Sequence, residues 1–172
     1  ASYNSTIDAG TQATLPIKLV SVSNIASSTA ASGTITVSDY SSITTSTAAS
    51  AVIAVTSANI TAGGTIDLID SHNVKHTFTA VDVVGDITSE FLIDTSSSNN
   101  TAASLKNCID TNISFSASVS TNQVTVTQAA GGTAGNTTIT VTDLAGSAGL
   151  AISSQFASGA DGTKITVTDA QG

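Results

Sequence analysis

Two histidines and two aspartates lie close together in the sequence, and a metal site is the first chemistry that they suggest. They are Asp67, Asp70, His72 and His76, and imidazole and carboxylate groups are ordinary ligands for zinc and nickel. The predicted strand pattern separates them, because His72 falls in a turn whereas His76 lies on a strand face. We therefore expect a turn residue and a partly buried strand histidine, with no bound metal and no other cofactor.

Side chains that can act as nucleophiles or acids occur without a supporting pattern. The abundant serines belong to no Gly-x-Ser-x-Gly turn, the turn that presents a nucleophilic serine in hydrolases. Glu90 is the only glutamate, which leaves little basis for the paired carboxylates of a glycosidase. Cys108 is the only cysteine and falls on a predicted apolar helix face, where a thiol behaves as a small core residue. The sequence therefore predicts no catalytic residues and a protein that is not an enzyme.

The composition disfavours two classes of partner. Charged residues make up 9% of the 172 residues, and the net charge is −8 with four lysines and no arginine. Nucleic-acid binding requires clustered Lys or Arg, and an anionic membrane surface attracts the same residues. The sequence therefore predicts neither nucleic acid nor membrane as a partner. A single cysteine forms no intramolecular disulfide, so the fold must depend on packing.

One helix is predicted, over residues 101–112, among segments that otherwise have strand character. Its apolar positions recur at helical spacing on one face, which predicts one sheet beneath it. We expect its N-cap among residues 99–101. The apolar stripe consists of Ala102, Leu105, Cys108 and Ile109.

Strand patterns occupy most of the chain after Ala58. Thr65–Asp70 and Val74–Ala80 predict a hairpin around a turn at residues 71–73, and residues 91–93 predict a short buried strand. Apolar residues then alternate with serines, which predicts a strand that turns at residues 121–122 into the strand 124–128. The alternating residues are Ile113, Phe115, Ala117 and Val119.

The last part of this region contains a glycine-rich segment at residues 129–136. We expect a hairpin loop there, since no Lys-Ser/Thr pair follows the glycines as in a phosphate loop and a strand at residues 138–142 comes next. Residues 144–156 predict a short helix or a loop that turns Leu150, Ile152 and Phe156 inward.

The first third of the chain predicts strands at residues 15–23, 33–39 and 51–56, with a polar loop over residues 41–50. Pro16 restricts the first of them to an edge, a strand start or a bulge. We predict a mainly β (α+β) fold of two small antiparallel, sandwich-like β units, the helix packing on the second sheet. The expected division is an N-terminal segment for attachment and assembly (1–57), a β-rich domain (58–162) and a C-terminal strand (163–172).

Three segments have nearly the same sequence, at residues 35–39, 139–143 and 165–169. Strands rich in Thr and Val resemble one another through composition alone. The last copy has no partner strand after it in the sequence. We therefore expect it to complete the sheet of the first segment or that of a neighbouring molecule.

The region from Gly64 to Gly162 resembles a small domain common in structural proteins of tailed bacteriophages. The resemblance depends on the order of four motifs, of which the glycine loop is one residue longer than the family pattern. They are His76-Thr-Phe78, Thr101-Ala-Ala-Ser-Leu105, Ala130-Gly-Gly-Thr-Ala-Gly-Asn136 and Phe156-Ala-Ser-Gly-Ala-Asp-Gly162. The resemblance implies a virion module without catalytic residues, such as a capsid decoration, tail-surface or fibre subunit made in the cytoplasm of a bacterial host.

We therefore predict a structural subunit that forms homo-multimers and contacts other virion proteins by strand addition and sheet packing. The alternative is a secreted extracellular filament (pilus-like) or adhesin subunit at the cell surface, joined by donor strands. The beginning Ala-Ser-Tyr is compatible with a trimmed initiator Met or with a removed signal peptide, which leaves both open. A carbohydrate-binding module is a third reading, weakened by the shortage of aromatics. The predicted assembly interface consists of Leu15, Ile17, Leu19, Val20, Val22, Ile165 and Val167.

Overall fold

The structure, a computed structural model, describes residues 3–6, 15–18, 32–35, 44–142 and 149–167 of the chain. The chain divides into two compact units. The central unit is Ser46–Asp161, and the terminal unit combines Ala1–Thr45 with Gly162–Gly172. The predicted mainly β class with one α-helix is confirmed. In these ranges the elements are β1 (Tyr3–Thr6), β2 (Leu15–Lys18), β3 (Ser32–Ile35), β4 (Ala48–Val55), β5 (Thr65–Ile69), β6 (Lys75–Val81), β7 (Glu90–Leu92), α1 (Ser98–Asp110), β8 (Phe115–Ser120), β9 (Gln123–Gly131), β10 (Ile139–Thr142), β11 (Leu150–Ala157) and β12 (Lys164–Val167).

The first sheet of the central unit has the strand order β10-β5-β6-β7. The predicted hairpin is confirmed, since β5 and β6 pair antiparallel with Ile66 opposite Phe78. Asn73 in its turn has φ 63°, a left-handed conformation that asparagine tolerates better than most residues. The predicted buried strand is β7, in which Phe91 is fully buried and which runs parallel to β6. This parallel pair makes the sheet mixed.

The second sheet has the order β11-β4-β9-β8 and is antiparallel. The predicted turn at Thr121 and Asn122 joins β8 to β9. The segment of alternating apolar residues forms the strand β8 as predicted. Ile113 lies before the first residue of this strand and is 94% exposed. Only Phe115 of the alternating set is buried on this strand, which is the last strand of its sheet.

The division between the units lies between Thr45 and Ser46 and not near Ser57 as predicted. The reason is the position of β4, which hydrogen-bonds with β9 on one side and β11 on the other. Its alternate residues Ala49, Ala51, Ile53 and Val55 are all fully buried. Both partners lie far along the chain, so no local sequence signal marks β4 as part of the central unit.

Two predictions for the end of the central unit are wrong. The glycine-rich segment is not a hairpin loop, because β9 belongs to the second sheet whereas β10 crosses to the first sheet and pairs with β5. The segment predicted as a short helix or loop contains the strand β11, which pairs with β4 through irregular register. Leu150 and Phe156 are buried as expected, and Ile152 is partly buried against the core.

The helix begins three residues earlier than predicted, at Ser98, and ends at Asp110. Its N-cap is Ser97, whose side chain accepts a hydrogen bond from the Asn100 backbone N–H at 3.2 Å. The apolar stripe is buried as predicted. The helix packs on both sheets and not on one, because it contacts β6 and β7 on one side and β4, β8 and β9 on the other. The stripe therefore fills the space between the two sheets.

The terminal unit contains two separate two-stranded antiparallel sheets in the part of the chain that the structure describes. In one, β1 pairs with β12, and Ser5 lies opposite Ile165. In the other, β2 pairs with β3, and Leu15 lies opposite Ile35. The C-terminal strand β12 pairs with β1 of the same chain and not with β3, so within the described residues it does not complete the sheet of the first of the three similar segments as expected. The three segments of similar sequence contribute to β3, β10 and β12.

No helix in the described residues is long and apolar enough to cross a membrane.

Candidate functional site

Asp70 is the most deeply buried carboxylate of the predicted metal cluster, with 4% of its surface exposed. It follows β5, and one oxygen, Oδ1, accepts hydrogen bonds from the backbone N–H groups of His72 and Val74, each at 2.9 Å. The other oxygen, Oδ2, accepts from His76 Nε2 at 3.0 Å and from Ser114 Oγ at 2.9 Å. These four donors satisfy the charge of a carboxylate that has little contact with water.

The donors also determine the acidity of Asp70. Burial by itself raises the pKa of this carboxyl, but hydrogen bonds from His76, from the Val74 N–H, from Ser114 and from the His72 N–H outweigh burial. Together they hold the pKa of Asp70 well below its ordinary value of 3.8. The group is therefore a stable anion at neutral pH and a poor proton donor or acceptor for catalysis.

His76 uses both ring nitrogens within the protein. A carboxylate only accepts hydrogen bonds, so Nε2 donates to Asp70, and Nδ1 accepts from the Asn112 amide at 2.8 Å. The ring also contacts Phe115 edge to face, with centroids 5.3 Å apart. Both ring nitrogens of His76 are therefore engaged, and neither is left for a ligand. The role of the cluster is structural, because its hydrogen bonds join the hairpin, the segment after the helix and the start of β8.

The other members of the predicted metal set do not meet at this cluster. Asp67 faces a different group, accepting from Thr77 Oγ1 at 2.7 Å and from Lys75 Nζ at 3.1 Å. His72 contributes only its backbone N–H to Asp70. In the described residues, no three His, Cys, Asp or Glu side chains come together as metal ligands.

Sequence reasoning missed Asn112 and Ser114 as partners of the Asp70 cluster. The sequence pattern predicts Asn112 at the end of the helix and Ser114 on the polar face of a strand. Their side chains reach His76 and Asp70 only because the end of the helix packs beside the hairpin. A short Asn-x-Ser segment after a helix carries no sequence signal for that contact.

Cys108 lies on the buried face of the helix, with 3% of its surface exposed. Burial, together with the negative charges of Asp86 and Glu90, raises the pKa of the Cys108 thiol to about 11. The thiolate is the reactive form of cysteine. Cys108 therefore acts as an apolar residue of the core at neutral pH, in agreement with its interpretation from the sequence.

The two glycine-containing motifs of the phage resemblance contact each other. We call this contact, formed by residues 131–136 and 158–161, the glycine junction. The Asn136 side chain accepts from the Gly159 N–H at 2.8 Å and donates to the Gly159 carbonyl at 3.0 Å, as a strand partner would. Thr133 donates to both carboxylate oxygens of Asp161, from its backbone N–H at 2.9 Å and from its hydroxyl at 3.2 Å. The motifs therefore have a structural role in holding the end of β11 beside the segment after β9.

A substitution at Gly159 would test how closely the glycine junction is packed. A Cβ atom at this position would lie 2.5 Å from the Gly132 carbonyl oxygen and 3.0 Å from the Ala49 Cβ. Neither neighbour is the end of a flexible side chain, so the backbone must shift. We expect Gly159→Ala to lower the free energy of unfolding by about 1–3 kcal/mol in urea titrations. The matched control is Gly85→Ala, where the nearest atom is the Glu90 carboxylate at 3.4 Å. Equal stability of both variants would contradict the close packing.

Side chains hydrogen-bond to main-chain groups on three outer strands of the central unit. The Leu92 N–H on β7 donates to Ser104 Oγ at 2.8 Å, and the Ala117 N–H on β8 donates to the Asp110 carboxylate, both from the helix. On β10, the Gln155 amide accepts from the Ile139 N–H and donates to the Ile139 carbonyl at 3.2 Å. On each of these three strands, a main-chain group that could pair with a strand of another molecule is therefore occupied.

Four residues of the predicted assembly interface lie on described strands. Leu15 and Ile17 are alternate residues of β2, and Ile165 and Val167 are alternate residues of β12. These two strands belong to different sheets, and the assembly interface stays a prediction. Leu19, Val20 and Val22 lie outside the described residues.

Comparison with protein-family models, curated proteins and solved structures finds no match to this chain.

Proposed function

We propose that this chain is a non-enzymatic structural subunit of a tailed-phage virion, a capsid decoration or a fibre or tail-surface protein. It assembles with copies of itself and with other virion proteins through the strands of its terminal unit. The observation that carries the proposal is the contrast between the two units. Main-chain donors on three outer strands of the central unit are bound by Ser104, Asp110 and Gln155, whereas the described residues of the terminal unit form two sheets of two strands each.

Two-stranded sheets favour assembly for a physical reason. An isolated pair of strands is marginally stable in water. Within the described residues β1 pairs only with β12 and β3 only with β2, so N–H and C=O groups on the opposite edge of β1 and of β3 can pair with a further strand. Adding a strand from another molecule satisfies those groups and buries more apolar surface. The central unit needs no such addition, because its helix and two four-stranded sheets already enclose a core.

The phage assignment depends on the motifs of the resemblance. Two of them form the glycine junction, in which Asn136 binds both main-chain groups of Gly159. The Thr-Ala-Ala-x-Leu motif supplies Thr101, Ala102 and Leu105, all fully buried in the helix. These motif residues stabilise the central unit, as expected for motifs that maintain the fold of a displayed domain. Attachment is then assigned to the terminal unit.

Removing residues 1–24 tests the proposal, because it deletes β1 and β2 and takes the partner from both β3 and β12. We expect the full chain to form regular multimers in size-exclusion chromatography with light scattering and in negative-stain images. The shortened chain should be monomeric, with a central unit that still unfolds cooperatively. The proposal fails if the shortened chain assembles like the full chain.

A secreted filament or adhesin subunit is the second candidate, because donor-strand assembly would use the same open edges. The coding sequence distinguishes the two functions. A signal peptide encoded directly before Ala1 supports the filament, whereas an initiator Met alone supports the virion subunit.

A further inference from the structure

Within the described residues the two terminal sheets contain four strands, β1, β2, β3 and β12, which differ in how readily their outer edges would accept another strand. Natural proteins block sheet edges with charged residues and with proline. Two of the four strands carry such residues, since β2 contains Pro16 and Lys18 and β12 contains Lys164. The other two, β1 and β3, contain neither a charged residue nor proline.

Pro16 also determines which main-chain groups of its sheet point outward. It lies opposite Thr34 in the β2–β3 pair, and it has no N–H to donate. Proline occurs in sheets where its nitrogen faces away from the partner strand. The pair Pro16–Thr34 is therefore one whose main-chain groups point outward, and the outer edge of β2 lacks a donor at this point. By the same alternation, the N–H of Thr34 points outward from β3.

The edge of β3 has a second feature that favours strand addition. Its second residue is Gly33, which lies opposite Ile17. Glycine inside a strand weakens it and often marks a place where another backbone approaches closely. Pairing at β3 and β1 would also remove no charged side chain from water, which matters for copies that each carry a net charge of −8.

We propose that β1 of one copy of this chain pairs with the outer edge of β3 of a second copy. The inference depends on the proposed function, for which it supplies the partner and the surface. Pairing joins two marginal sheets into one four-stranded sheet with the order β12-β1-β3-β2, in which the last two strands belong to the second copy. Because the two edges differ, the contact is head to tail. The first copy keeps its β3 edge and the second copy keeps its β1 edge for further copies.

Substitution of Thr34 tests the acceptor edge. Thr34→Pro removes the outward donor of β3 without removing a hydrogen bond to β2. Thr34→Lys keeps the donor but adds a charge to the edge. We expect either variant to weaken self-association by about tenfold or more in light scattering, with an unchanged unfolding transition of the central unit. Lys18→Pro is the matched control, since it removes an outward donor from the edge of β2, and it should associate like the unaltered chain.

Cross-linking between copies tests the donor strand. Two single-cysteine variants, Asn4→Cys and Thr34→Cys, are made with Cys108→Ala so that no other thiol is present. After mixing and mild oxidation, we expect disulfide-linked pairs that contain one chain of each variant. Linkage of Thr34→Cys chains only to one another would mean a twofold contact between two β3 strands and would overturn the assignment of β1.

The outcomes separate this inference from the proposed function. Multimers that survive both Thr34 substitutions and give no mixed cross-link overturn the β1–β3 contact, while the loss of assembly on deleting residues 1–24 would still support the virion subunit. A full chain that stays monomeric at every concentration overturns the contact between copies, and binding of that monomer to purified virions would then retain the proposed function.

Discussion

Replacing Leu105 with aspartate is expected to unfold the central unit. Leu105 is fully buried in the middle of the helix, which packs between the two sheets. The substitution would bury a carboxylate with no counter-charge or donor provided for it, and it would remove an apolar side chain from the core. We expect a loss of about 4 kcal/mol or more, comparable with the entire stability of a domain at roughly 5–15 kcal/mol.

Circular dichroism and urea titration measure this effect directly. The matched control is Asn99→Asp, which makes the same change in net charge at an exposed position in the first turn of the same helix. An acidic residue there interacts favourably with the helix N-terminus, so the control should be as stable as the unaltered chain or slightly more so. A cooperatively folded Leu105→Asp variant would show that the helix does not enclose the core as described.

The second large effect is expected for Asp70→Ala. This change leaves four donors without their acceptor, two of them main-chain N–H groups in the hairpin turn. Leaving buried polar groups unsatisfied costs about 1–3 kcal/mol each at most sites, reduced here because His76 and the turn have some access to water. We expect a total loss of about 3–4 kcal/mol in urea titrations at neutral pH.

Asp70→Asn separates the two halves of the cluster. The amide oxygen can still accept from the His72 and Val74 N–H groups, whereas the amide NH2 would face His76 and Ser114. We expect this variant to lose less stability than Asp70→Ala, because only the hydrogen bonds from the side chains of His76 and Ser114 are lost. Equal losses in the two variants would mean that the turn gains nothing from the carboxylate.

The unaltered chain and Asp70→Asn should also differ in how their free energy of unfolding depends on pH. The pKa of Asp70 is lower in the folded chain than its ordinary value of 3.8. The stability that this carboxylate contributes is therefore fully present above 3.8 and is lost as the pH falls below 3.8 toward the folded value. The unaltered chain should show this acid loss of stability to a greater extent than Asp70→Asn. Parallel stability curves for the two proteins in that range would contradict the low pKa of Asp70.

The hairpin, the helix stripe and the β9 strand could be predicted because their signals are local. Residues 65–80 alternate around a turn of polar residues, and that pattern is specified within a few residues of the chain. The helix boundaries were less accurate because Ser97 caps a first turn of polar residues that look like a loop in the sequence. Cys108 was placed correctly for the same local reason, as one position of the apolar stripe.

The Asp70 cluster could be predicted only in part. The proximity of Asp70 and His76 was visible, since both belong to one hairpin. Their remaining partners Asn112 and Ser114 come from a different part of the chain and reach the cluster through packing of the helix. The predicted turn and strand histidines are confirmed in position, while the closed set of hydrogen bonds around His76 depends on that packing.

The sequence by itself determined that the chain is mainly β, where most strands run and which face of the helix is buried. The alternation of a strand and the spacing of a helix determine which nearby residues share a face, and residues that share an apolar face are buried together in the fold. Only the tertiary structure decided that β4 belongs between β9 and β11, that β10 crosses to the other sheet and that the helix touches both sheets. Pairing between distant strands is selected by the packing of the whole core, and many Thr- and Val-rich strands of this chain would satisfy the same local pattern.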